Sequence, residues 1–264
     1  MTADTVGLVA GSGAYPVLLS RRLLQQGINV VVAGVSGHAV PADFPGCQFR
    51  IFPVGQIQAA SRWFRDMTAL RAVLAGGIKL RFGQTAIAPD RSLLLWLPLL
   101  FFGGDDKRLR YIAGAFERCG VRIISPRAWI DDWFPGAGHL AGPSLNRTTA
   151  QLLARGVARC RAFVQADVGQ SVVVHGTQWT GRENRRGTDK LLKTVPGPGA
   201  VLVKMKKQTQ DVRFDIPAIG PGTVETAAQM GVRLVAVEAG EVMVISQEKT
   251  FQLCRDLNVS LMAF

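Results

Sequence analysis

The segment QTQDVRFDIPAIGP, residues 208–221, places two acidic side chains four residues apart with a basic one midway between them. These three residues are Asp211, Arg213 and Asp215. Carboxylates bind divalent cations and a guanidinium binds phosphate oxygens, so the pattern suits metal-assisted chemistry on a phosphate. Charged residues that alternate with apolar ones are also typical of a solvent-exposed strand whose charges pair with one another. The pattern alone leaves both interpretations open.

The segment is predicted to be extended over residues 211–216, because Pro217 and the β-branched residues disfavour a helix. Alternate side chains of a strand point to opposite faces, so the three charged residues should share one face. The other face would carry the apolar residues, directed into a core: Val212, Phe214 and Ile216. Residues four apart on a strand are separated by about 13 Å, too far for both aspartates to chelate one ion. Either one carboxylate binds a metal while the other orients the arginine or a water, or the strand bends between them.

Other polar residues could complete such a site. The run KMKK supplies three lysines, including Lys204 and Lys207. Thr188 and Asp189 follow a glycine turn, and Glu238 stands at the predicted end of a strand. Carboxylates that hold Mg²⁺, beside cations that offset charge on phosphate oxygens, are what phosphoryl chemistry requires.

A glycine-rich segment, GLVAGSGAYP, lies near the N-terminus. Gly11 and Gly13 follow a predicted strand directly, and Pro16 opens a predicted helix, so backbone amides could approach a phosphate at the helix N-terminus. Pro16 replaces the third glycine of the dinucleotide fingerprint, and the next strand, VVVAGVSG, ends without an acid for a ribose hydroxyl. A nicotinamide cofactor is therefore not expected. A nucleotide or phosphate site and a plain tight turn both stay open.

Apolar strand-like runs alternate with helix-period segments through the first half of the chain, which predicts a parallel sheet with crossover helices. A Gly- and Pro-rich stretch at 134–144 marks a domain boundary, so we place the domains at 1–138 and 139–264. A long Ala- and Arg-rich helix, then strands and further helices, fill the second half. The predicted fold class is α/β, with an N-terminal Rossmann-like parallel-sheet domain and a C-terminal mixed α/β domain.

The composition favours an anionic partner. The 264 residues are 48% hydrophobic, and 31 Lys+Arg against 19 Asp+Glu give a net charge of +12. Nucleic acid, phosphorylated metabolites and an acidic membrane face are all compatible with that charge. Four scattered cysteines without a C-x-x-C pair indicate a reducing compartment, and three dispersed histidines weigh against a zinc enzyme.

Neither a signal peptide nor a membrane-spanning segment is expected from the sequence. The run LLLWLPLLFF, residues 93–102, is too short to cross a bilayer and contains Pro98. It is interpreted either as a buried element or as a patch that touches a membrane or acyl chains.

Seven segments distributed over nearly the whole chain resemble the UDP-2,3-diacylglucosamine diphosphatases (pyrophosphatases) of the LpxI type, from the lipid A biosynthesis of lipopolysaccharide. The segments are GLVAGSGAYP, VGQIQAASRWF, GGDDKRLRYIAGAFERCGVRIISP, ADVGQSVVV, RGTDKLL, LVKMKKQTQDVRFDIPAIGPGTVETAAQMG and AVEAG. Their order and spacing together make the resemblance fairly specific.

The resemblance implies a Rossmann-like domain followed by an α/β domain peculiar to the family, with substrate held between them. It implies a hydrolase that uses Mg²⁺ or Mn²⁺ to cleave the pyrophosphate of a UDP-linked diacylated sugar, releasing UMP and diacylglucosamine 1-phosphate (lipid X). It also implies a cytoplasmic homodimer, peripheral on the inner face of the inner membrane, that contacts anionic lipid transiently. No nucleic-acid partner is expected.

The same resemblance implies the site residues. The essential acid is expected within QDVRFD, with Asp211 as first choice, Asp215 as second and Arg213 beside them. The expected metal ligands are Asp211, Asp189, Glu183 and Glu238. The expected substrate-binding residues are Gly11, Ser12, Gly13, Tyr15, Gln56, Thr188, Lys204, Lys207 and Gln210.

One departure from the family pattern stands at Arg186, where members usually carry an acid before the G-T-D. Residues 175–186 are polar and basic where the family usually reads as an apolar hairpin, although Glu183 falls where another acid is expected. Two alternatives follow: a divergent or inactive homologue that binds a UDP-sugar, and a basic protein that binds nucleic acid or anionic lipid. The basic residues lack an aromatic-interleaved nucleic-acid motif, which weighs against nucleic acid.

Overall fold

The computed structural model describes residues 4–78, 105–166, 169–177, 179–184 and 187–264. The chain forms two compact units. The first is Met1–Ile130 together with Asp211–Asp215, and the second is Asp131–Gln210 together with Ile216–Phe264. The apolar run 93–102 and Arg186, both singled out in the sequence, lie outside the described residues.

The first unit contains five strands and three α-helices within the described ranges. In chain order they are β1 (Thr5–Ala10), α1 (Ala14–Gln25), β2 (Asn29–Val35), β3 (Gln48–Phe52), α2 (Ile57–Asp66), β4 (Arg71–Ala75), α3 (Asp105–Arg118) and β5 (Arg122–Ile123). The strands form one parallel sheet in the order β3-β2-β1-β4-β5. This is the order of a Rossmann-type sheet, so the fold predicted for the first half is confirmed.

The central strands of this sheet are almost continuously apolar because both of their faces are covered. Leu8 and Val73 are fully buried. On one face Phe64 of α2 and Phe116 of α3 pack together in a hydrophobic cluster. Phe214, from the separate segment of this unit, belongs to the same cluster and is 9% exposed.

The second unit contains eight strands and four α-helices within the described ranges. They are β6 (Gly138–Ala141), α4 (Arg147–Gln165), β7 (Ser171–His175), β8 (Trp179–Arg182), α5 (Thr188–Leu192), β9 (Ala200–Lys204), β10 (Ala218–Ile219), α6 (Pro221–Gln229), β11 (Val232–Val237), β12 (Met243–Val244), α7 (Gln247–Asp256) and β13 (Ser260–Ala263). The larger sheet has the order β6-β13-β11-β9-β7-β8, and β10 pairs with β12 in a small parallel sheet.

The larger sheet is mixed. Strands β9, β11 and β13 are parallel, whereas β7 runs antiparallel to β8 and β9, and β6 runs antiparallel to β13. The mixed α/β fold predicted for the second half is therefore confirmed. The pairing of β7 with β8 makes a hairpin from a polar and basic stretch, and β6 arises from the Gly- and Pro-rich stretch in which the sequence indicated only a boundary.

Alternation along the strands supplies both faces of this sheet. Val172 and Val174 face α4, whereas Val173 faces the cluster that includes Leu191 of α5. Helix α4 lies close to the sheet because Gly156 has no side chain: a Cβ there would stand 2.7 Å from a methyl carbon of Val203. In the described ranges, no helix has the length and apolarity needed to cross a membrane.

The strand predicted over residues 211–216 is wrong, because the segment forms a turn. The backbone N–H of Asp215 donates to the carbonyl of Asp211 at 3.0 Å, and the Asp211 carboxylate accepts the N–H of Arg213 at 3.1 Å. An aspartate that accepts the N–H two residues later stabilises a turn, which competes with an extended conformation. Val212 is consequently 42% exposed instead of facing a core, whereas Phe214 is buried as predicted.

Candidate functional site

Within the first unit, Arg213 binds both carboxylate oxygens of Asp211. Its Nε lies 3.0 Å from Oδ1 and 3.2 Å from Oδ2, and its Nη2 donates to Oδ2 at 2.8 Å. The backbone N–H of the same arginine also reaches Oδ1. Three N–H groups of one residue therefore fix the orientation of one carboxylate.

These hydrogen bonds hold the pKa of Asp211 below its ordinary value. The side-chain hydrogen bond from Arg213 is the largest cause, partial burial acts in the opposite direction, and the charge of Arg110 adds a further lowering. A carboxylate with a lowered pKa is ionised at neutral pH and is a weak proton acceptor. Asp211 is thus suited to carrying a negative charge and not to accepting a proton.

The other end of Arg213 is also engaged within the first unit. Its Nη1 lies 3.3 Å from Oε1 of Glu117 on α3, and its guanidinium carbon lies 5.4 Å from the centre of the Phe214 ring. Ser125 donates its hydroxyl to the carbonyl of Val212 at 3.2 Å. The turn that carries Asp211 is therefore attached to the rest of the first unit by the ion pair with Glu117, by the hydrogen bond from Ser125 and by the buried ring of Phe214.

A second polar cluster lies inside the second unit, where β7 begins and β8 and β9 end. Lys204 donates from Nζ to the hydroxyl of Thr188 at 2.9 Å, and that hydroxyl donates to Oε1 of Glu183 at 2.9 Å. The hydroxyl of Ser171 lies 3.1 Å from the hydroxyl of Thr188. All four residues are buried. The antiparallel register that pairs Ser171 with Lys204 brings these residues to one end of the sheet.

The Thr188 hydroxyl has no remaining hydrogen-bonding capacity in this arrangement. A hydroxyl has one proton and accepts two hydrogen bonds. Because Thr188 donates to Glu183 and accepts from Lys204, the contact with Ser171 must be a donation by Ser171. The neutral hydroxyl thus bridges a buried ammonium and a buried carboxylate, and a substrate contact by Thr188 would have to use its backbone.

Gln170 connects this cluster to the other predicted polar residues of the second unit. Its backbone N–H donates to Oε2 of Glu183 at 3.0 Å, and its side-chain oxygen accepts from Gln210 at 3.3 Å. The side-chain oxygen of Gln210 in turn accepts the N–H of Lys207 at 3.2 Å. Glu183, Gln210 and Lys207 are therefore brought together, through a glutamine that the sequence analysis missed.

The two other predicted metal ligands of the second unit, Glu238 and Asp189, are placed differently from Glu183. The backbone N–H of Glu238 donates to the carbonyl of Lys204 at 3.0 Å, and its carboxylate accepts the N–H of Lys206 at 2.9 Å. Lys206 also forms an ion pair with Glu241. Asp189 is exposed on α5. Glu238 thus lies beside the strand end that carries Lys204, whereas Asp189 faces solvent.

The predicted metal ligands do not form a complete protein cage. Across the ranges that the structure describes, no group of three or more His, Cys, Asp or Glu side chains is placed to hold a metal ion. Magnesium is commonly bound by one or two carboxylates, with substrate phosphates and water completing its coordination. Asp211 has the negative charge that such a site needs, and Arg213 would have to release one of its oxygens for a metal ion to bind there.

The glycine-rich loop is a close crossing of two backbone segments. Gly11 donates its N–H to the carbonyl of Ala75 at 2.8 Å, and Ser12 donates to the carbonyl of Gly77 at 2.9 Å. A Cβ on Gly11 would stand 2.7 Å from the oxygen of Gly77, so only glycine fits. Both amides are therefore engaged within the protein, which leaves the N-terminus of α1, after Gly13, as the part of this loop suited to a phosphate.

Two further predicted residues lie at the same edge of the first sheet, where its parallel strands end. Tyr15 is in the first turn of α1, and burial raises the pKa of its hydroxyl. Gln56 directly precedes α2. In a parallel α/β sheet this carboxyl edge is where ligands bind.

Sequence reasoning missed Gln170 and Ser171, which hold the cluster around Thr188. The available signal was the position of two polar residues at the start of an otherwise apolar strand, QSVVV. Polar residues that enter a buried strand need partners, so their position indicated other polar groups nearby.

A Rossmann-type unit, combined with a mixed-sheet unit whose strand ends gather buried polar residues, defines an α/β protein of the ligand-binding type. The family model described as LpxI N-terminal domain matches residues 5–133, and the model described as LpxI C-terminal domain matches residues 136–262. The chain belongs to the LpxI family, and the resemblance seen in the sequence is confirmed.

A curated relative is similar along almost its whole length. It is the UDP-2,3-diacylglucosamine pyrophosphatase LpxI of Caulobacter vibrioides, 28% identical over 270 aligned positions. The alignment covers 96% of this chain and 95% of the relative. Both halves of the chain are therefore matched in one continuous alignment.

Proposed function

We propose that this chain hydrolyses the pyrophosphate of UDP-2,3-diacylglucosamine. Water attacks the phosphorus nearer the sugar, and the bond from that phosphorus to the bridging oxygen breaks. The bridging oxygen leaves with UMP, the water oxygen stays on 2,3-diacylglucosamine 1-phosphate, and the protons of the water are released or shared between the products.

The observation that supports this proposal is the match of both halves of the chain to the LpxI family, together with a relative named as a pyrophosphatase that aligns over 96% of the chain. Both domains of the family are therefore present in this chain. Lipid A biosynthesis is the process in which we place the activity.

Asp211 is the residue to which we assign the essential carboxylate. Its lowered pKa keeps it ionised, and Arg213 fixes its orientation. We propose that Asp211 binds Mg²⁺ or Mn²⁺, with substrate phosphates and water completing the coordination of the ion. The bound ion supplies Lewis-acid stabilisation of the diphosphate oxygens. Arg213 acts as a positioning residue for Asp211, because its N–H groups are directed at that carboxylate.

The second unit supplies cationic and polar groups for the substrate. Lys207 and Gln210 are joined by a hydrogen bond near the end of β9, where we propose that they bind a phosphate or the sugar. Lys204 contacts the hydroxyl of Thr188 inside the protein, and its charge lowers the cost of bringing an anion to this strand end.

The test is release of UMP from UDP-2,3-diacylglucosamine by the purified full-length protein. We expect UMP with Mg²⁺, none with EDTA, and a loss of at least about a hundredfold in kcat for Asp211→Asn. Asp43→Asn, at an exposed aspartate of the first unit, is the matched control and should keep full activity. A folded protein that releases no UMP with either cation, or an Asp211→Asn variant with undiminished activity, would contradict the proposal.

A second candidate is a homologue that binds a UDP-sugar without turnover. It is favoured by Arg186, a cation where the family pattern has an acid. Thermal stabilisation by UDP-sugar in the absence of UMP release would support this candidate over the first.

We also propose that the protein is cytoplasmic, forms a homodimer and contacts the inner face of the inner membrane transiently. The net charge of +12 supports the membrane contact, since each basic residue near an anionic surface contributes about 1 kcal/mol. The homodimer is proposed from the family resemblance. Sedimentation of the protein with and without anionic vesicles tests the homodimer and the membrane contact.

A further inference from the structure

A basic groove lies in the first unit between α2 and the end of α3. It has a volume of about 350 Å³ and is lined by Gln58, Arg62, Arg65, Arg118, Cys119 and Gly120. Three of these residues are arginines and none is acidic. We call it the arginine groove, and no step of the proposed reaction uses it.

The arginine groove runs along α2 from Gln58, in the first turn of the helix, to Arg65, in its last turn. Helices α2 and α3 end shortly before β4 and β5 begin, so Arg65 and Arg118 lie near the amino ends of those strands. Gly11 contacts Ala75, at the carboxyl end of β4. The five residues of β4 separate these two edges by about 13 Å. Arg65 and Arg118 are therefore separated from the carboxyl edge, at which α/β proteins usually bind a nucleotide.

In the described part of the chain, no carboxylate forms an ion pair with any of the three arginines. Ion pairing therefore does not explain why they lie together. Arg62 and Asp66 are four residues apart on α2, a spacing suited to an ion pair, yet they form none. Arg118 lies over the ring of Tyr111, with its guanidinium carbon 5.6 Å from the ring centre. That contact is with an aromatic ring, which carries no net charge to neutralise the guanidinium.

The helix ends do not require these side chains as caps. The last carbonyls of α2 accept backbone N–H groups from Met67, Thr68 and Ala69, and those of α3 accept from residues 119–121. The helix dipole attracts cations only within the last turn, which favours Arg65 and Arg118. Arg62 lies a turn further back, and it stands three residues before Arg65, where two like charges repel.

Three guanidinium groups around one groove repel one another unless an anion lies between them. The planar fork of an arginine matches two oxygens of a phosphate, and a groove of this volume is at the lower end of the range for small-molecule sites. We propose that the arginine groove is a phosphate-binding site. Its ligand carries the phosphate either as a soluble small molecule or as the headgroup of a phospholipid.

Cys119 lines the arginine groove and provides a direct measurement of occupancy. We would alkylate the full-length protein with iodoacetate and follow Cys119 by peptide mass spectrometry, with Cys47 as the internal reference, since it is half-buried in the first unit and does not line the groove. Inorganic phosphate at about ten times its Kd should slow the alkylation of Cys119 about tenfold, because Cys119 reacts only when the groove is empty. Cys47 should not change, and potassium chloride at matched ionic strength should not reproduce the effect.

Two further arms identify the source of the phosphate. One uses sn-glycerol 3-phosphate, and the other compares vesicles of phosphatidylglycerol with vesicles of phosphatidylcholine. Protection by glycerol phosphate supports a soluble ligand, and protection by phosphatidylglycerol vesicles alone supports a lipid headgroup. No protection in any arm, or equal protection by both kinds of vesicle, would overturn the proposal.

Variants complete the test without depending on activity. Arg62→Gln combined with Arg65→Gln should abolish protection while leaving the circular dichroism spectrum unchanged. Arg21→Gln removes one positive charge from an exposed position of α1, and this variant should retain full protection. Protection that persists in the double variant would contradict the site. Because the wild-type comparison stands alone, a double variant that fails to fold does not remove the test.

Discussion

The guanidinium of Arg213 binds both carboxylate oxygens of Asp211 and contacts Glu117 of α3 through its remaining nitrogen. The arginine is therefore a fixed positive partner of the aspartate and not a side chain extended toward a phosphate. Its distance of 2.8 Å from Nη2 to Oδ2 is typical of a charge-assisted hydrogen bond. This pair determines the ionisation of the residue on which the proposed chemistry depends.

Arg213→Gln should change the pH dependence of UMP release. Without the guanidinium, the pKa of Asp211 rises toward its ordinary value, so the acid limb of kcat/KM moves to higher pH. Glu117→Gln is the matched control: it weakens the contact with Nη1 and leaves the bonds from Nε and Nη2 to Asp211, so its acid limb should resemble that of the wild type. Coinciding acid limbs for Arg213→Gln and the wild type would exclude the positioning role.

Asp211→Asn should reduce stability at neutral pH by about 1 kcal/mol, a small value because Arg213 is partly exposed. The folded pKa of Asp211 is lowered, so its contribution is complete above the unfolded pKa of about 3.9 and is lost as the pH falls through the folded value. Urea unfolding between pH 3 and pH 7 measures this. The wild type and the variant should converge on acidification, and a difference that does not depend on pH would be inconsistent with the ion pair.

Thr188→Val should destabilise the second unit by about 1–3 kcal/mol, because Glu183 and Lys204 lose the hydroxyl that bridges them. Thr188→Ser keeps the hydroxyl and should recover most of the loss. Asp189→Asn, the next residue on the same helix but exposed, should change stability by less than about 0.5 kcal/mol. Chemical unfolding provides the comparison, and equal effects of the valine and serine variants would argue against the bridge.

Gly11→Ala should destabilise the first unit by about 1–3 kcal/mol, since its methyl group would collide with the backbone oxygen of Gly77. Gly222→Ala is the contrasting variant. Gly222 lies in α6, and a methyl group added there would meet no atom within 4 Å, so alanine should be neutral or stabilise by up to about 1 kcal/mol. Thermal unfolding of the two variants should give shifts of opposite sign, and a tolerated alanine at Gly11 would refute the close crossing.

The fold could be predicted from the sequence largely because its strands are buried on both faces. Runs such as VGLVA and INVVVAG are recognisable from apolar β-branched residues, and the short connections between them indicate parallel pairing. Strand β6 was not predicted, because its residues, Gly138–Ala141, look like a linker. Its partner β13 also lies far away in the sequence, near residue 260. A pairing over that separation has no local signature.

The site was harder to predict, because side-chain hydrogen bonds override local propensity. Alternating residues indicated a strand at 211–216, but the carboxylate of Asp211 bonds the backbone of Arg213 and makes a turn. The resemblance named Glu183, Thr188 and Lys204 without indicating that they contact one another. The pairing of β7 with both β8 and β9 brings Glu183 and Lys204 to the same end of β7, and such pairing is a tertiary property.

Phe214 completes the hydrophobic cluster of the first unit although it comes from the second half of the sequence. A polypeptide that stops at residue 130 would therefore lack one aromatic ring of its own core, and a polypeptide that starts at residue 131 would carry that ring without the surface on which it packs. Proteolytic nicking between the halves should leave fragments that stay associated. In this protein the division into two domain sequences does not coincide with the division into two compact units.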